Sequence, residues 1–174
     1  MRYRRANISG GTYFFTVNLA NRNEKLLIEH IDVLRRVVKE VKHSLPFHII
    51  AMVVLPDHLH AIWQLPESDA DFSMRWSLIK AKFSKSIPKT NEQLSCSRRA
   101  KRERGVWQRR FWEHQINDDE DLERHVFYIF NNPVKHGYVR RAADWPYSSI
   151  HQAIASGIIN EDWGYVDDGL FTPD

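Results

Sequence analysis

Residues 47–65 read FHIIAMVVLPDHLHAIWQL, and this stretch decides the fold that the sequence predicts. Two runs of strand length, residues 47–55 and 58–65, are separated by a PD pair typical of a turn. Such a pair of runs predicts a β-hairpin. His58 and His60 lie in the second run, at positions where an apolar side chain would pack without any polar group to satisfy.

The flanking segments continue an alternation of strands and helices. Aromatic and β-branched residues predict strands at 11–20 and 110–116, and apolar residues at helical spacing predict helices at 28–45, 74–87 and 118–132. The order β-α-β-β-α-β is that of a ferredoxin-like sandwich, an α+β fold, here with an additional helix and a C-terminal extension.

Punctuating residues set the expected limits of the last helix and of the loop before the last strand. Asp118 is the expected N-cap of the third helix, whose first turn is acidic as the helix dipole favours. Pro133 is expected to end that helix. The basic stretch that leads to Arg110 is expected to be a mobile loop.

The composition is that of one folded domain. With 174 residues, 43% of them apolar and 12% aromatic, the chain can bury a core and is too apolar for a disordered protein. The single cysteine, Cys96, cannot form an internal disulfide, which suits a reducing cytosol. No signal peptide or membrane span is recognisable. We expect one cytoplasmic domain over residues 1–156 and an acidic tail over residues 157–174.

Charge divides the chain into a basic body and an acidic tail. The net charge is +3, and six acidic residues follow Arg141, the last lysine or arginine, so residues 1–141 carry +9. Guanidinium groups suit phosphates and interleaved aromatic rings suit unstacked bases, which predicts contacts with single-stranded or hairpin nucleic acid. A solvated arginine-rich loop explains a charge run alone equally well. The expected nucleic-acid contacts are Arg4, Arg5, Arg98, Arg99, Arg102, Arg104, Arg109 and Arg110.

The two histidines form a candidate metal site. His58 and His60 are two residues apart in a predicted strand, so both side chains project from the same face of the sheet. Two imidazoles on one face can share a metal ion, while Leu59 points to the opposite face. For an HxH pattern alone, polar positions on a solvent-facing strand are the more common explanation.

The predicted third helix offers a partner for this pair in HVFYIFNNPVKHG, residues 125–137. Tyr128 and Asn132 are four residues apart and therefore lie on one helix face. A tyrosine can act as a nucleophile, and an amide oxygen one turn later can bind a metal or orient a ligand. Because the helix must pack on the sheet, Tyr128 has an alternative role as a half-buried core aromatic.

Five blocks of the sequence resemble the REP-associated tyrosine transposases, a branch of the single-tyrosine HUH transposases that act on bacterial palindromic repeats. The blocks are YRRANISGGTYFFTVNL, PDHLHAIW, WQRRFWEHQI, YIFNNPVKHG and DWPYSS, within residues 2–150. The resemblance implies a ferredoxin-like HUH catalytic domain, a divalent metal held by His58 and His60, and Tyr128 as nucleophile. One departure is Phe130, where the family often has histidine; on a helix this position points away from Tyr128.

The implied activity is metal-dependent cleavage and transfer of single-stranded DNA through a 5′-phosphotyrosine intermediate. Attack by Tyr128 would leave a free 3′-OH and store bond energy, so that the strand can be rejoined without ATP. The expected cofactor is Mg²⁺ or Mn²⁺, held by the two imidazoles and the oxygen of Asn132, with open positions for phosphate and water. Asp57 and His114 are candidates to orient the ligands.

The implied substrate is hairpin DNA of repetitive extragenic palindromes, at the nucleoid of a bacterial cell. A monomer is expected, because this branch carries a long tail that smaller dimeric relatives lack. Two other functions fit the same residues: a hairpin-binding protein without catalysis, which the presence of His58, His60 and Tyr128 disfavours, and a metal-dependent hydrolase of RNA or a small phosphoester that uses water. A covalent protein–DNA adduct distinguishes the three.

The acidic tail has two candidate roles. Its carboxylates and aromatic rings alternate as phosphates and bases do in single-stranded DNA, so the tail is expected to compete with substrate for the basic body. Alternatively, the tail packs on the outside of the sheet, with Trp163 as its anchor. Truncation at Ser156 separates these roles, since competition predicts tighter binding and faster cleavage, whereas packing predicts a less stable protein.

Overall fold

One antiparallel sheet of four strands organises the chain, in the order β2-β3-β1-β4. A computed structural model describes residues 8–89, 94–101 and 103–164. The predicted hairpin forms β2 and β3, and β3 pairs along its length with the first strand of the chain. This is the predicted ferredoxin-like α+β fold. The strands are β1 (Thr12–Asn18), β2 (His48–Val54), β3 (His58–Gln64) and β4 (Trp112–Gln115).

Helices cover both faces of the sheet. Helices α2 (Ile31–Ser44) and α3 (Phe72–Ser86) pack together on one face, and α5 (Asp119–Lys135) packs on the other. A 3-10 turn at Ala142–Asp144 and the short α6 follow α5. Within the described residues the helices are α1 (Leu26–Glu29), α2 (Ile31–Ser44), α3 (Phe72–Ser86), α4 (Cys96–Ala100), α5 (Asp119–Lys135) and α6 (Ile150–Ala155).

The alternation of side chains along β3 separates two hydrophobic cores. Leu59 and Trp63 are buried in the core under α2 and α3, whereas Ile62 is buried with Phe14 in the core under α5. Because residues two apart share a face, His60 projects toward α5 together with Ile62. The sheet therefore directs the histidines at the helix that carries the candidate tyrosine.

The helix α5 begins as predicted and ends later than predicted. The carboxylate of Asp118 accepts a hydrogen bond from the backbone N–H of Asp121, as an N-cap does. The prediction that Pro133 ends the helix is wrong, since α5 continues to Lys135. A proline removes one backbone donor but leaves later amides free to bond, and the N–H of His136 donates to Asn132 O at 3.0 Å.

The described part of the basic stretch before β4 contains a short helix where the sequence predicted a loop. It contains α4, which Ser95 caps by accepting a hydrogen bond from the N–H of Arg98. The Arg98 guanidinium donates to the carbonyl of Trp107, and that of Arg104 donates to the carbonyl of Ser84 on α3. These bonds tie the segment to the domain.

The segment after α5 covers the outer edge of β2. The N–H of Val54 donates to Tyr147 O at 2.8 Å, and the N–H of Ser149 donates to Met52 O at 2.8 Å. The indole N–H of Trp145 donates to Val54 O at 2.9 Å. An edge strand with its donors and acceptors paired in this way is a poor template for another strand.

The first part of the tail packs on α5. The ring of Trp163 lies 5.2 Å from that of Phe127 and 5.9 Å from that of Phe130, measured between centroids. Residues 165–174, which include most of the tail's acidic groups, lie outside the described residues. Among the described helices, none has the length and apolarity to cross a membrane.

Candidate active site

The strand β3 presents two buried histidines side by side. His58 and His60 are 5% and 3% exposed, and their ring centroids lie 5.0 Å apart. Leu59 between them is buried in the opposite core. The pair is therefore not a set of polar positions on a solvent-facing strand, and a buried imidazole must find a partner for each polar nitrogen.

The Nδ1 atom of each imidazole is held by a neighbouring side chain. His60 Nδ1 lies 2.9 Å from Thr16 Oγ1, across the register that pairs these residues in β3 and β1. His58 Nδ1 lies 2.8 Å from Asp57 Oδ1, and the Arg22 guanidinium donates to the same carboxylate. Since an ionised carboxylate only accepts, His58 Nδ1–H donates to Asp57 and leaves Nε2 with its lone pair.

Burial keeps both imidazoles neutral. It lowers the pKa of His60 to about 3, helped by the nearby charges that His58 and His136 would carry. Burial also lowers the pKa of His58, although its hydrogen bond to Asp57 opposes this. For Asp57, burial alone would raise the pKa, but hydrogen bonds from His58 and Arg22 outweigh it and lower the pKa. Neutral imidazoles are the form that binds metals.

The helix α5 and its C-cap carry three polar side chains four residues apart, two of which contact this pair. Tyr128 is 39% exposed, and its ring lies 5.1 Å from that of His60 between centroids. Asn132 is fully buried one turn later. His136 follows at the C-terminus of α5, with its ring centroid 5.5 Å from that of His58. The half-exposed hydroxyl-bearing ring thus stands at the mouth of a buried polar site.

Two groups in this site are buried without a hydrogen-bond partner among the described residues. They are His60 Nε2 and the side-chain amide of Asn132, both its nitrogen and its oxygen. An unsatisfied buried polar atom costs about 1–3 kcal/mol, so such atoms point to a ligand that satisfies them. An imidazole nitrogen and an amide oxygen are both groups that a divalent metal ion accepts as ligands.

The second candidate orienting residue, His114, lies in a different cluster from Asp57. His114 Nε2 is 2.8 Å from Asp121 Oδ2, and His125 Nδ1 is 3.1 Å from Asp121 Oδ1. The ligand atoms of these three residues all lie within 4.8 Å of one another. Phe14 stands between this cluster and the buried pair, with its ring 4.8 Å from His125 and 5.5 Å from His60.

Three described arginines of the basic segment, Arg98, Arg104 and Arg109, lie beside α3, on the sheet face opposite the histidines. Arg98 and Arg109 pair with Glu103, and a cavity of about 550 Å³ is lined by Arg98, Arg109 and Lys80 among others. Burial lowers the pKa of Lys80 to about 8. Arg99 and Arg110 are exposed, and Arg4, Arg5 and Arg102 lie outside the described residues.

Three residues at the site, Arg22, Thr16 and His136, are not among the site residues predicted from the sequence. Arg22 and Thr16 reach the histidines only through the tertiary pairing of strands, so no local pattern indicates them. His136 had a usable signal, because Tyr128, Asn132 and His136 repeat every four residues and share one helix face.

A ferredoxin-like sheet with paired histidines on a central strand and an exposed tyrosine on the facing helix defines the HUH class of single-tyrosine enzymes. The model of the family described as "Transposase IS200 like" matches residues 8–132, and the chain belongs to that family. It is therefore a tyrosine transposase of the HUH type, a class of DNA-cleaving enzymes that is in general metal-dependent.

Relatives with high identity cover nearly the whole chain. The REP-associated tyrosine transposase of Escherichia coli (strain K12) is 47% identical over 161 residues, 92% of this chain and 89% of the relative. A Haemophilus influenzae protein, named provisionally as a REP-associated tyrosine transposase, is 46% identical over 162 residues, which are 93% of this chain and 92% of that protein. A solved REP-associated tyrosine transposase bound to a REP hairpin superposes with a TM-score of 0.81, at 44% identity and with 100% and 98% of the two chains covered.

Proposed function

We propose that this transposase is a metal-dependent endonuclease and strand transferase for single-stranded DNA, and that it works through a 5′-phosphotyrosine on Tyr128. The observation that carries the proposal is the approach of the half-exposed Tyr128 ring to the buried His60, at 5.1 Å between centroids. His60 Nε2 has no hydrogen-bond partner among the described side chains. A nucleophile and a metal-binding nitrogen therefore share one site.

The proposed reaction is a transesterification. The Tyr128 oxygen attacks phosphorus in line with the leaving 3′ oxygen, so an O–P bond to tyrosine forms as the P–O3′ bond breaks. The phenol loses its proton and the 3′ oxygen gains one, which leaves a free 3′-OH and a 5′-phosphotyrosine. The number of ester bonds is unchanged, so attack by a 3′-OH can reverse the step and join strands.

His58, His60 and Asn132 are the proposed metal ligands. A bound divalent ion would draw charge from a non-bridging phosphate oxygen and favour the ionised phenol. The chain contributes neutral imidazoles whose Nδ1 atoms are fixed by Asp57 and Thr16, which orients Nε2 toward the metal. Two nitrogens and one oxygen suit Mn²⁺ at least as well as Mg²⁺, which prefers oxygen ligands.

The proposed substrate is the hairpin DNA of repetitive extragenic palindromes. Two relatives above 45% identity carry REP in their names, and a solved relative holds a REP hairpin. A hairpin offers stem phosphates to the exposed Arg99 and Arg110, and its flanking single strand offers unpaired bases near Tyr128. Because such palindromes are chromosomal, the proposed place of action is the bacterial nucleoid. The covered edge of β2 supports a monomer.

A cleavage assay with matched histidine variants tests this proposal. With a REP hairpin that carries its flanking single strand and with Mn²⁺ or Mg²⁺, wild-type protein should cleave the flanking strand. His58→Ala and His60→Ala should each abolish cleavage, and Asn132→Ala should reduce it less, with metal affinity lowered in parallel by calorimetry. His43→Ala, an exposed histidine on α2, is the control and should behave as wild type.

Two outcomes contradict the proposal. Unchanged metal affinity in both β3 histidine variants would refute the ligand assignment. Cleavage by Tyr128→Phe at a rate comparable to that of wild type would refute the tyrosine mechanism and favour a hydrolase that activates water.

A further inference from the structure

A cavity of about 480 Å³ opens beside Tyr128 and is separate from the buried histidine pair. Its volume is within the usual range for small-molecule sites. The most exposed aromatic ring in its wall belongs to Trp112, at the start of β4, which is 53% exposed. The lining residues are Phe14, Thr16, Trp112, Arg124, His125 and Tyr128.

Trp112 is the outer member of a stack of three flat rings. Its ring is nearly parallel to that of His114, at 6° with centroids 6.0 Å apart. His114 in turn stacks on His125, at 15° and 4.8 Å. The buried carboxylate of Asp121 contacts both imidazoles, at 2.8 Å from His114 Nε2 and 3.1 Å from His125 Nδ1. The stack is therefore oriented before any ligand arrives, which lowers the entropy cost of binding.

Phe14 joins this stack to the nucleophile. It is almost fully buried, and its ring meets Trp112 edge to face at 5.6 Å and Tyr128 edge to face at 5.9 Å. Trp112 and Tyr128 line the same cavity, so a ligand held against Trp112 lies beside the ring of the proposed nucleophile. The guanidinium of Arg124 lies at the rim, 64% exposed, and pairs with Glu120 at 3.4 Å and with Asp121 at 3.5 Å. An exposed pair such as that with Glu120 is weak, so a DNA phosphate can compete for the guanidinium.

We propose that this cavity binds one unstacked nucleobase of the nucleotide beside the phosphate that Tyr128 attacks, by stacking on Trp112. This inference rests on the proposed function. Proteins that hold single strands combine aromatic platforms with nearby positive charge, and stacking on a ring accepts any base. Binding the base fixes its nucleotide, and thereby positions the adjoining phosphate for in-line attack.

The test compares two changes that remove the same contact. Once the cleaved position has been mapped on the hairpin substrate, an abasic nucleotide is placed on either side of it in turn. On one side, the abasic substrate should slow adduct formation by wild type roughly 5- to 150-fold, and Trp112→Ala should slow it similarly on intact substrate. Trp112→Ala acting on the abasic substrate should slow adduct formation no more than the larger of the two single changes does. Trp112→Phe should keep most of the wild-type rate.

Phe127→Ala is the matched control. Phe127 is also 53% exposed but packs against Trp163, away from the cavity lining. This variant should respond to the abasic nucleotide as wild type does. If Trp112→Ala and the abasic nucleotide slow adduct formation independently, so that their two factors multiply, the inference is overturned. A wild-type rate for Trp112→Ala on intact substrate would overturn it as well.

A binding experiment without cleavage separates this inference from the proposed function. Tyr128→Phe is mixed with hairpins that carry 2-aminopurine at each nucleotide of the flanking strand in turn, and the fluorescence of 2-aminopurine falls when it stacks. Quenching is expected with Tyr128→Phe, and it should be lost in the double variant that also carries Trp112→Ala. Quenching that depends on Trp112, together with a wild-type protein that never cleaves the hairpin, would refute the proposed function alone. An active wild type whose hairpin shows no Trp112-dependent quenching would refute the base site alone.

Discussion

Replacement of His60 by glutamine should flatten the dependence of stability on pH in the metal-free protein. In the folded chain burial lowers the pKa of His60 to about 3, from an ordinary value of 6.5. As the pH falls below 6.5, the unfolded chain takes up a proton that the folded chain refuses until about pH 3. Stability is therefore lost across this interval and is fully present only above it.

The size of the effect follows from the two pKa values. Between pH 7 and pH 5, His60 should remove about 2 kcal/mol from the free energy of unfolding of the wild type. In His60→Gln this contribution is absent, because glutamine does not titrate. The difference in slope between the two proteins isolates His60 from every other titrating group that they share.

Urea unfolding in chelator at pH 7 and pH 5 measures this difference. His43→Gln, at an exposed position on α2, serves as the control and should lose as much stability as wild type. If His60→Gln also loses as much stability between the two pH values as wild type, His60 is not buried as a neutral imidazole. The orientation of Nε2 toward a metal would then lose its support.

Three further predictions address the surroundings of the site. Asp57→Asn removes the carboxylate that accepts from His58 and Arg22, so calorimetry should show metal affinity reduced by about 10- to 100-fold, and unchanged affinity would contradict this role. Replacing Arg109 and Arg110 by glutamine should lower the slope of log affinity against log salt by about 0.7–0.9 per lost phosphate contact, whereas an unchanged slope would make them solvated surface. Truncation after Ser156 removes Trp163 from α5 and should lower Tm by about 5 °C; an unchanged Tm with tighter hairpin binding would instead support competition by the tail.

The sheet and the histidine pair could be predicted because their signals are local. Successive side chains of β3 point alternately into the two cores. The local sequence therefore predicts both the strand and the shared face of His58 and His60. The PD turn limits the hairpin in the same local way. Tyr128 and Asn132 could be predicted for a similar reason, because helical periodicity alone places them on one face.

Two of the features that the sequence did not indicate depend on contacts between distant residues, and a third is local. Thr16 meets His60 only through the register of β1 against β3. The short helix α4 lies in a segment that is fixed from outside, for example by the bond from Arg98 to the carbonyl of Trp107. Pro133 was expected to end α5, but the amides that follow it still find acceptors within the helix. The bond after Pro133 is local, from His136 to Asn132, and the expectation that a proline ends a helix concealed it.

The most direct test of the central claim is mass spectrometry of the protein after reaction with a hairpin oligonucleotide and Mn²⁺. The account predicts a covalent adduct on Tyr128 that carries the 5′-phosphate of the cleaved strand, together with a released strand that ends in a 3′-OH. Tyr128→Phe should bind the hairpin with nearly wild-type affinity and form no adduct. Cleaved DNA with no attached protein, or an adduct on any other residue, would contradict the claim.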